Sequence, residues 1–344
     1  MKKICICGGG NIAHVAAGFM AARGLFEVSI LTRRPERWQK SVIIYRPDNE
    51  QPLIERLSQV SSKPEDVVTD ADFVLLCLPG YAIRDTLLQI KPCLRHDAIA
   101  GTAVGSVVSS TGFFLHAAEV LPADVPLFGL QRVPFIARTK EYGRSAALLG
   151  YKASLAVAVE HTCRTEELRL AVEQMFSTPT RLLNNFYEAS LSNSNPLLHP
   201  ARLYDLWHDW QEGTVYEREP MFYEEWTEAA ARAYMALDGE LQQLLDILPV
   251  EKNSIPTVLD YYESSDAASL AAKLRSIEAF KGIKAPMKAV SGGYVPDFGS
   301  RYFTEDFPYG LGIIRRLAAE HGIATPVMDE IFTWGERCVK AIHE

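Results

Sequence analysis

The 344-residue sequence contains no long hydrophobic run. No stretch reaches the roughly 18–20 consecutive apolar residues that a membrane-spanning helix requires. The apolar run at residues 4–7 ends at Gly8, which is too early for the hydrophobic region of a secretion signal. We therefore expect a cytoplasmic protein with no membrane partner.

The sequence also lacks an excess of positive charge. Its formal net charge is -8, so the chain as a whole is not attracted to the phosphate backbone of nucleic acids. We therefore expect no nucleic-acid partner. An anionic small molecule would have to bind at a local group of cationic side chains.

Metal-type and disulfide-type cysteine patterns are absent as well. The six cysteines form no C-x-x-C pair and no zinc-ligand spacing. Asp205 and His208 are spaced as two ligands on one helix would be, but no third ligand accompanies them. We expect neither disulfides nor a metal site, which agrees with a reducing compartment.

Strand and helix patterns alternate in the first half of the chain, whereas long helical patterns dominate after about residue 182. The predicted strands are 2–7, 26–31, 72–78, 98–101, 126–130 and two within 145–158 on either side of Gly150. The predicted helices include 11–23, 82–90, 164–176, 223–248 and 326–343. We predict an N-terminal Rossmann-type domain with a doubly wound parallel sheet at 1–180 and an all-α domain at 181–344. The boundary is placed near 177–181, where Pro179 interrupts both patterns.

A glycine-rich motif lies between the first strand and the first helix. Residues 8–13, GGGNIA, fit the pattern G-x-G-x-x-A in the strand–turn–helix context that makes it informative. Gly8 permits the tight turn, Gly10 lets a pyrophosphate approach the backbone, and Ala13 allows close helix packing. The helix N-terminus attracts phosphate. The predicted cofactor contacts here are Gly8, Gly10, Asn11, Ile12 and Ala13; the alternative is a glycine turn without a ligand.

The end of the second strand predicts which dinucleotide binds. NAD-dependent enzymes usually have a carboxylate there, but this strand ends in Thr32, Arg33 and Arg34. A hydroxyl and two guanidinium groups suit a 2′-phosphate, so NADP(H) is favoured over NAD(H). The alternative is that both arginines belong to a solvated turn. Leu78 and Pro79 follow another strand and are predicted to line the same edge of the sheet.

Two polar segments interrupt the helical pattern of the second domain. Residues 193–200 read N-x-N-x-x-x-H-P and are predicted to form a loop that opens a helix, and residues 301–310 read R-Y-x-x-E-D-x-P-Y-G. On these segments and on residues 8–13, the sequence resembles the opine dehydrogenases, the octopine/nopaline dehydrogenase family. The resemblance covers nearly the whole chain and implies a helical domain of the 6-phosphogluconate dehydrogenase-like type.

The resemblance also implies a reaction and a site. A 2-oxo acid and an amine condense to an imine, which a nicotinamide cofactor reduces. His199 would be the general acid/base, Asp306 its carboxylate partner and Arg301 the ligand of an anionic substrate group, while Asn195 would position the substrate. The chemistry agrees, because histidine exchanges protons near neutral pH and arginine binds carboxylates bidentately. Whether the two segments meet in space is a hypothesis at this stage.

Other interpretations remain open from the sequence. His199 could be a buried structural histidine, Asp306 a helix N-cap and Arg301 a surface charge. A 2-oxo acid reductase of the ketopantoate-reductase type would use a lysine, for which the candidates are Lys152, Lys281 and Lys284. A non-catalytic NADP(H)-binding sensor would need only the cofactor site. The sequence does not identify the amine donor, the 2-oxo acid, the direction, the stereochemistry or the oligomeric state, for which a homodimer is one candidate.

Overall fold

The structure, a computed structural model, describes residues 1–103 and 112–340. The chain divides into two compact units, Met1–Ser192 and Asn193–Glu344. Within the described residues, no helix combines the length and the apolar character needed to cross a membrane.

The first unit alternates strands and helices for most of its length. Its strands are β1 (Lys2–Cys7), β2 (Phe26–Leu31), β3 (Ser41–Arg46), β4 (Asn49–Arg56), β5 (Gln59–Ser61), β6 (Phe73–Leu76), β7 (Ile99–Thr102), β8 (Leu127–Leu130), β9 (Phe135–Glu141), β10 (Ser145–Tyr151), β11 (Leu155–Glu160) and β12 (Thr180–Leu182). Its helices are α1 (Asn11–Ala22), α2 (Pro64–Val67), α3 (Gly80–Ile90), α4 (Gly112–Val120), α5 (Thr165–Phe176) and α6 (Phe186–Leu191).

The larger sheet has the strand order β12-β11-β8-β7-β6-β1-β2-β5. Neighbouring strands are parallel, except that β11 runs antiparallel to β8. The prediction of a doubly wound parallel sheet is therefore confirmed. The chain passes from β1 to β2 on one side and returns to β6 on the other, so the strand order reverses at β1. Dinucleotides bind at such reversal points, beyond the carboxyl ends of the strands.

The first unit extends beyond the predicted boundary at 177–181. Pro179 interrupts the sequence pattern there, but β12 begins directly after it and pairs in parallel with β11. Helix α6 also packs on this part of the sheet. The pairing of β12 and the packing of α6 on the sheet therefore place the chain in the first unit up to Ser192.

A second, smaller sheet with the order β4-β3-β10-β9 covers α1. The side chains of Val42 and Ile44 are buried against the helix, and a Cβ atom on Gly18 would lie 2.4 Å from Cγ1 of Ile44. This sheet corrects the predicted turn around Gly150. That glycine pairs with Ile136 at an irregularity inside β10, so the chain turns only after Tyr151.

The second unit is mainly helical, which confirms the predicted class of domain. Its helices are α7 (Asn195–Trp207), α8 (Glu228–Leu245), α9 (Val258–Tyr261), α10 (Ala267–Ser276), α11 (Arg301–Thr304), α12 (Gly312–Glu320) and α13 (Pro326–Lys340), with a π-helical turn at Phe307–Leu311. An antiparallel pair, β13 (Met287–Val290) and β14 (Gly293–Pro296), departs from the all-α prediction.

Helix ends in this unit follow local capping chemistry. The helix predicted at 223–248 begins only at Glu228, because the Thr227 hydroxyl accepts a hydrogen bond from the Ala230 N–H and fixes the first turn. The predicted helix at 326–343 corresponds to α13, and residues 341–343 of that prediction lie outside the described residues.

The loop predicted at 193–200 is wrong over most of its length, because α7 begins at Asn195. Pro196 lies in the first turn, where a missing N–H has no helical partner to lose. The Asn193 side chain accepts a hydrogen bond from the Asn195 N–H at 3.1 Å, which helps the chain enter the helix. Pro200 lies inside the helix, so His199 projects from a regular helical turn rather than from a loop.

Candidate active site

The glycine loop after β1 is shaped to admit a ligand along its backbone. Gly8 has a φ of +134°, and a Cβ there would lie 2.5 Å from the Cys77 carbonyl oxygen, so glycine is required. A Cβ on Gly10 would meet no atom of residues 1–103 or 112–340 within 4 Å, so these residues leave space open beside it. No side chain in the part of the chain that the structure describes caps the N-terminus of α1, which leaves its first N–H groups available for phosphate.

The following residues of the motif have different environments. Ala13 is fully buried and Ile12 half-buried. The Asn11 side chain accepts a hydrogen bond from the Thr139 N–H at 2.9 Å, which ties α1 to β9. Asn11 therefore offers its backbone N–H at the helix start, while its side chain has a structural contact.

Thr32, Arg33 and Arg34 follow β2 at the same edge. The Thr32 side chain is buried, and its hydroxyl lies 3.2 Å from that of Tyr142. Both arginines are exposed and form no ion pair with the described residues. The guanidinium groups of Arg33 and Arg34 are thus available to bind an anion next to the Thr32 hydroxyl. This donor set fits the 2′-phosphate of a nicotinamide dinucleotide.

Leu78 and Pro79 lie beside the glycine loop. Cδ2 of Leu78 would be 3.4 Å from a Cβ on Gly8, and both residues are half-buried. Pro79 directly precedes α3, which has no side-chain cap at its N-terminus. The end of β6 therefore forms a second wall next to the loop.

Sequence reasoning missed a cluster that supports this loop. The Gly143 N–H donates to His14 Nε2 at 2.7 Å, so His14 Nδ1 carries the proton that it shares with the Gly10 carbonyl at 2.9 Å. The imidazole stacks on Trp38 at 4.3 Å, and burial lowers the pKa of His14. The Arg37 guanidinium lies 4.8 Å from the centre of the Tyr142 ring. No local pattern marks these contacts, because α1 meets the turn between β9 and β10 only in the folded unit.

In the second unit, the structure brings His199 and Asp306 together. Nδ1 of His199 lies 2.8 Å from Oδ2 of Asp306, although 107 residues separate them in the chain. His199 projects from α7, and Asp306 directly precedes the π-helical turn. A Cβ on Gly310 would lie 3.0 Å from Cβ of Pro196, so the absence of a side chain there lets the turn pack closely on α7.

Aromatic residues enclose the imidazole. The Tyr223 hydroxyl lies 2.9 Å from Nε2 of His199. The rings of Tyr302 and Phe222 pack edge-on against it, with centroids at 4.6 and 5.7 Å. Burial, followed by the nearby Tyr302, raises the pKa of Tyr223. Sequence reasoning missed Tyr223, which lies in an aromatic stretch with no distinguishing pattern.

The two predicted substrate ligands lie close to this group along the chain. Arg301 is the first residue of α11, is exposed and forms no ion pair with the described residues. It directly precedes Tyr302, whose ring contacts His199. Asn195 is exposed and lies one helical turn before His199 on α7. Both side chains are therefore available to a ligand.

Two of the three candidate lysines, and Asp205 of the possible metal pair, have other partners. Lys281 pairs with Glu278, and Lys284 with Glu219 at 2.6 Å, with each lysine about half exposed. Asp205 accepts hydrogen bonds from Arg202 and from the Thr227 hydroxyl. Among residues 1–103 and 112–340, no group of three potential metal ligands occurs.

Comparisons with known proteins agree over nearly the whole chain. The family model described as "NAD/NADP octopine/nopaline dehydrogenase, alpha-helical domain" matches residues 182–339, and that described as "NADP oxidoreductase coenzyme F420-dependent" matches residues 3–105. Octopine dehydrogenase from Pecten maximus is 29% identical over 97% of this chain and 89% of its own length. Tauropine dehydrogenase from Arabella iricolor is 28% identical over 98% of this chain and 91% of its own length.

A solved structure of octopine dehydrogenase with NADH and L-arginine has a TM-score of 0.87 to this chain. It is 26% identical, and the match covers 99% of this chain and 90% of that one. A Rossmann unit followed by a helical unit, together with these relatives, defines an oxidoreductase that uses a nicotinamide dinucleotide and acts on CH–NH bonds. Residues 182–339 match the helical domain of the octopine/nopaline dehydrogenases, and the chain is similar to octopine dehydrogenase over nearly its whole length.

Proposed function

We propose that this protein catalyses the NADP(H)-dependent reductive condensation of a 2-oxo acid with an amino acid or another amine. The hydrogen bond of 2.8 Å between His199 and Asp306 is the observation that carries the proposal. It joins the two segments on which the family resemblance depends. Relatives named as octopine and tauropine dehydrogenases support the reaction class.

His199 acts as the general acid/base. When an amine adds to a 2-oxo acid, the resulting carbinolamine loses its hydroxyl as water only if that oxygen is protonated. His199 gives this proton and later takes one back. Asp306 accepts from Nδ1–H, which fixes the ring orientation and stabilises the imidazolium. A bound nicotinamide cofactor supplies the hydride that reduces the imine.

Arg301 and Asn195 hold the substrates. A 2-oxo acid carries a carboxylate, for which Arg301, exposed and without an ion pair among the described residues, is a bidentate partner. The amide of Asn195 offers both a donor and an acceptor one turn from His199. These two side chains orient the reacting groups relative to the acid/base.

The cofactor binds along residues 8–13, with Leu78 and Pro79 as the neighbouring wall. Thr32, Arg33 and Arg34 favour NADP(H) over NAD(H), because they offer a hydroxyl and two cationic groups and no carboxylate. The octopine dehydrogenase structure holds NADH, so this preference would distinguish the chain from that relative.

Following NADPH oxidation by absorbance tests the proposal. The protein is mixed with pyruvate or 2-oxoglutarate and a pool of amino acids, with parallel reactions that lack either partner or contain NADH. We expect oxidation that requires both partners and is lost in His199→Ala. His208→Ala is the matched control, since His208 is exposed and directly follows the same helix, and should behave as wild type.

Two results would contradict the proposal. Oxidation with the 2-oxo acid alone would indicate a simple 2-oxo acid reductase. Tight NADPH binding without turnover of any pair would indicate a sensor.

A further inference from the structure

Neither ring nitrogen of His199 is left open for a substrate. Nδ1 lies 2.8 Å from Asp306 Oδ2, and Nε2 lies 2.9 Å from the Tyr223 hydroxyl. Tyr302 and Phe222 pack against the ring, and only 8% of the residue is exposed. A proton can therefore reach or leave Nε2 only through the Tyr223 hydroxyl, unless the hydrogen bond between Nε2 and this hydroxyl breaks first.

The hydrogen-bond directions follow from the chemistry of the groups. An ionised carboxylate only accepts, so with Asp306 ionised the proton of neutral His199 is on Nδ1. Nε2 is then an acceptor, and the Tyr223 O–H donates to it. When His199 gains a second proton, both nitrogens donate, and the oxygen of Tyr223 becomes the acceptor. One hydroxyl thus satisfies both protonation states by reversing its hydrogen bond.

Packing holds the phenol in this position. Its ring stacks on Phe280 at 4.1 Å and lies nearly parallel to Trp226 at 6.1 Å. The preceding carbonyl, that of Phe222, accepts a hydrogen bond from the buried Arg202 at 2.9 Å. Burial raises the pKa of Tyr223, so the hydroxyl keeps its own proton at neutral pH.

We propose that Tyr223 relays the proton between His199 and the substrate. In the acid direction, the Nε2 proton passes to the tyrosine oxygen while the tyrosine hydroxyl proton passes to the substrate oxygen. One proton leaves His199, one arrives at the substrate, and Tyr223 ends neutral. In the base direction both transfers reverse. This inference rests on the proposed role of His199 in the condensation.

Tyr223→Phe tests the relay because it keeps the stacked ring and removes only the hydroxyl. We expect kcat of the full chain, with pyruvate, the amino-acid pool and NADPH at saturation, to fall roughly 100-fold, as for loss of a general acid/base step. The Kd for NADPH should be unchanged. In mixtures of H2O and D2O, the wild-type rate should show two protons in transfer, a signature that a purely structural role would not produce.

Tyr204→Phe is the matched control. Tyr204 lies on α7, and its hydroxyl contacts Glu330 rather than His199. We expect its kcat to stay within about twofold of wild type, since the substitution keeps the ring and removes a hydroxyl that has no contact with His199. If the substrate instead displaced Tyr223 and met Nε2 directly, Tyr223→Phe would retain nearly full activity, and the relay would be wrong.

A spectroscopic measurement separates this inference from the proposed function. In protein labelled with 15N-histidine, we expect His199 to show the Nδ1–H form and its Nε2 resonance to move in Tyr223→Phe but not in Tyr204→Phe. An Nε2 resonance that does not move would overturn the relay. A moving resonance in a protein without turnover would overturn the proposed function, and the relay with it. Turnover that Tyr223→Phe retains would overturn the relay alone.

Discussion

Nε2 of His14 accepts a hydrogen bond of 2.7 Å from the backbone N–H of Gly143, and this bond ties the helix behind the glycine loop to the turn between β9 and β10. Protonation of Nε2 would break it. Burial disfavours the charged imidazole, so the pKa of His14 lies below the ordinary value of 6.5.

A pH dependence of stability follows from this contact. The folded pKa of His14 lies below the unfolded pKa, so the unfolded chain binds more protons between them. The stabilisation is present above about pH 6.5 and is lost as the pH falls through the folded pKa. We expect the free energy of unfolding, measured in urea at pH 7.5 and pH 5.5, to decrease less in His14→Gln than in wild type. Equal decreases in the two proteins would refute this assignment.

Asp306→Asn should disable the acid/base pair while preserving its shape. An amide cannot stabilise the imidazolium as a carboxylate does, so we expect kcat to fall by about 100-fold or more. NADPH binding, followed by the fluorescence of the cofactor, should not change. Asp209→Asn provides a control at an exposed aspartate just after α7. Comparable losses in both variants would argue against a specific role for Asp306.

Removal of the two arginines after β2 should affect the two cofactors differently. In the double variant Arg33→Ala and Arg34→Ala, we expect the Kd for NADPH to rise about 100-fold, because charged hydrogen bonds to the 2′-phosphate contribute about 1.5–3 kcal/mol. The Kd for NADH should change less than threefold. Arg56→Ala, at an exposed position on β4, serves as the control for loss of one positive charge elsewhere, to be compared with each single variant. An equal increase of the Kd for NADPH and for NADH would mean that the arginines do not bind the 2′-phosphate.

Two helical glycines should respond oppositely to alanine. A Cβ on Gly335 would lie 2.2 Å from the Phe307 ring, which is buried beside Asp306. We expect Gly335→Ala to destabilise the protein by about 2 kcal/mol. Overpacking costs up to about 3 kcal/mol, and the higher helix propensity of alanine offsets about 1 kcal/mol of this. A Cβ on Gly239, within α8, would meet nothing within 4 Å, so Gly239→Ala should stabilise by about 0.5–1 kcal/mol. Urea unfolding of both variants measures this; a stabilising Gly335→Ala would contradict the packing argument.

The strand, turn and helix around residues 8–13 could be predicted because their pattern is local. Residues 8–13 directly follow β1 and begin α1, so the adjacent sequence is enough to indicate this arrangement. The polar segments at 193–200 and 301–310 are harder to predict. Proline at the start of α7 was interpreted as a loop, although Pro196 fits a first helical turn and Pro200 is tolerated inside the helix.

Contacts between distant segments could not be predicted from the residues alone. Tyr223 lies 24 residues after His199, and Tyr142 lies 110 residues after Thr32. Neither tyrosine belongs to a motif, and the same side chains elsewhere in an aromatic-rich core would serve packing only. Folding alone brings their hydroxyl groups to these partners.

The division of the chain into two units also separates the residues proposed for cofactor selection from those proposed for acid/base chemistry. Thr32, Arg33 and Arg34 lie in Met1–Ser192, whereas the imidazole and its two hydrogen-bond partners lie in Asn193–Glu344. Substitutions at the three residues proposed to select the reductant therefore leave the residues of the proposed proton path unchanged, and the reverse also holds. In evolution, the proposed choice of reductant and the proposed acid/base group can therefore change independently, through substitutions in separate parts of the sequence.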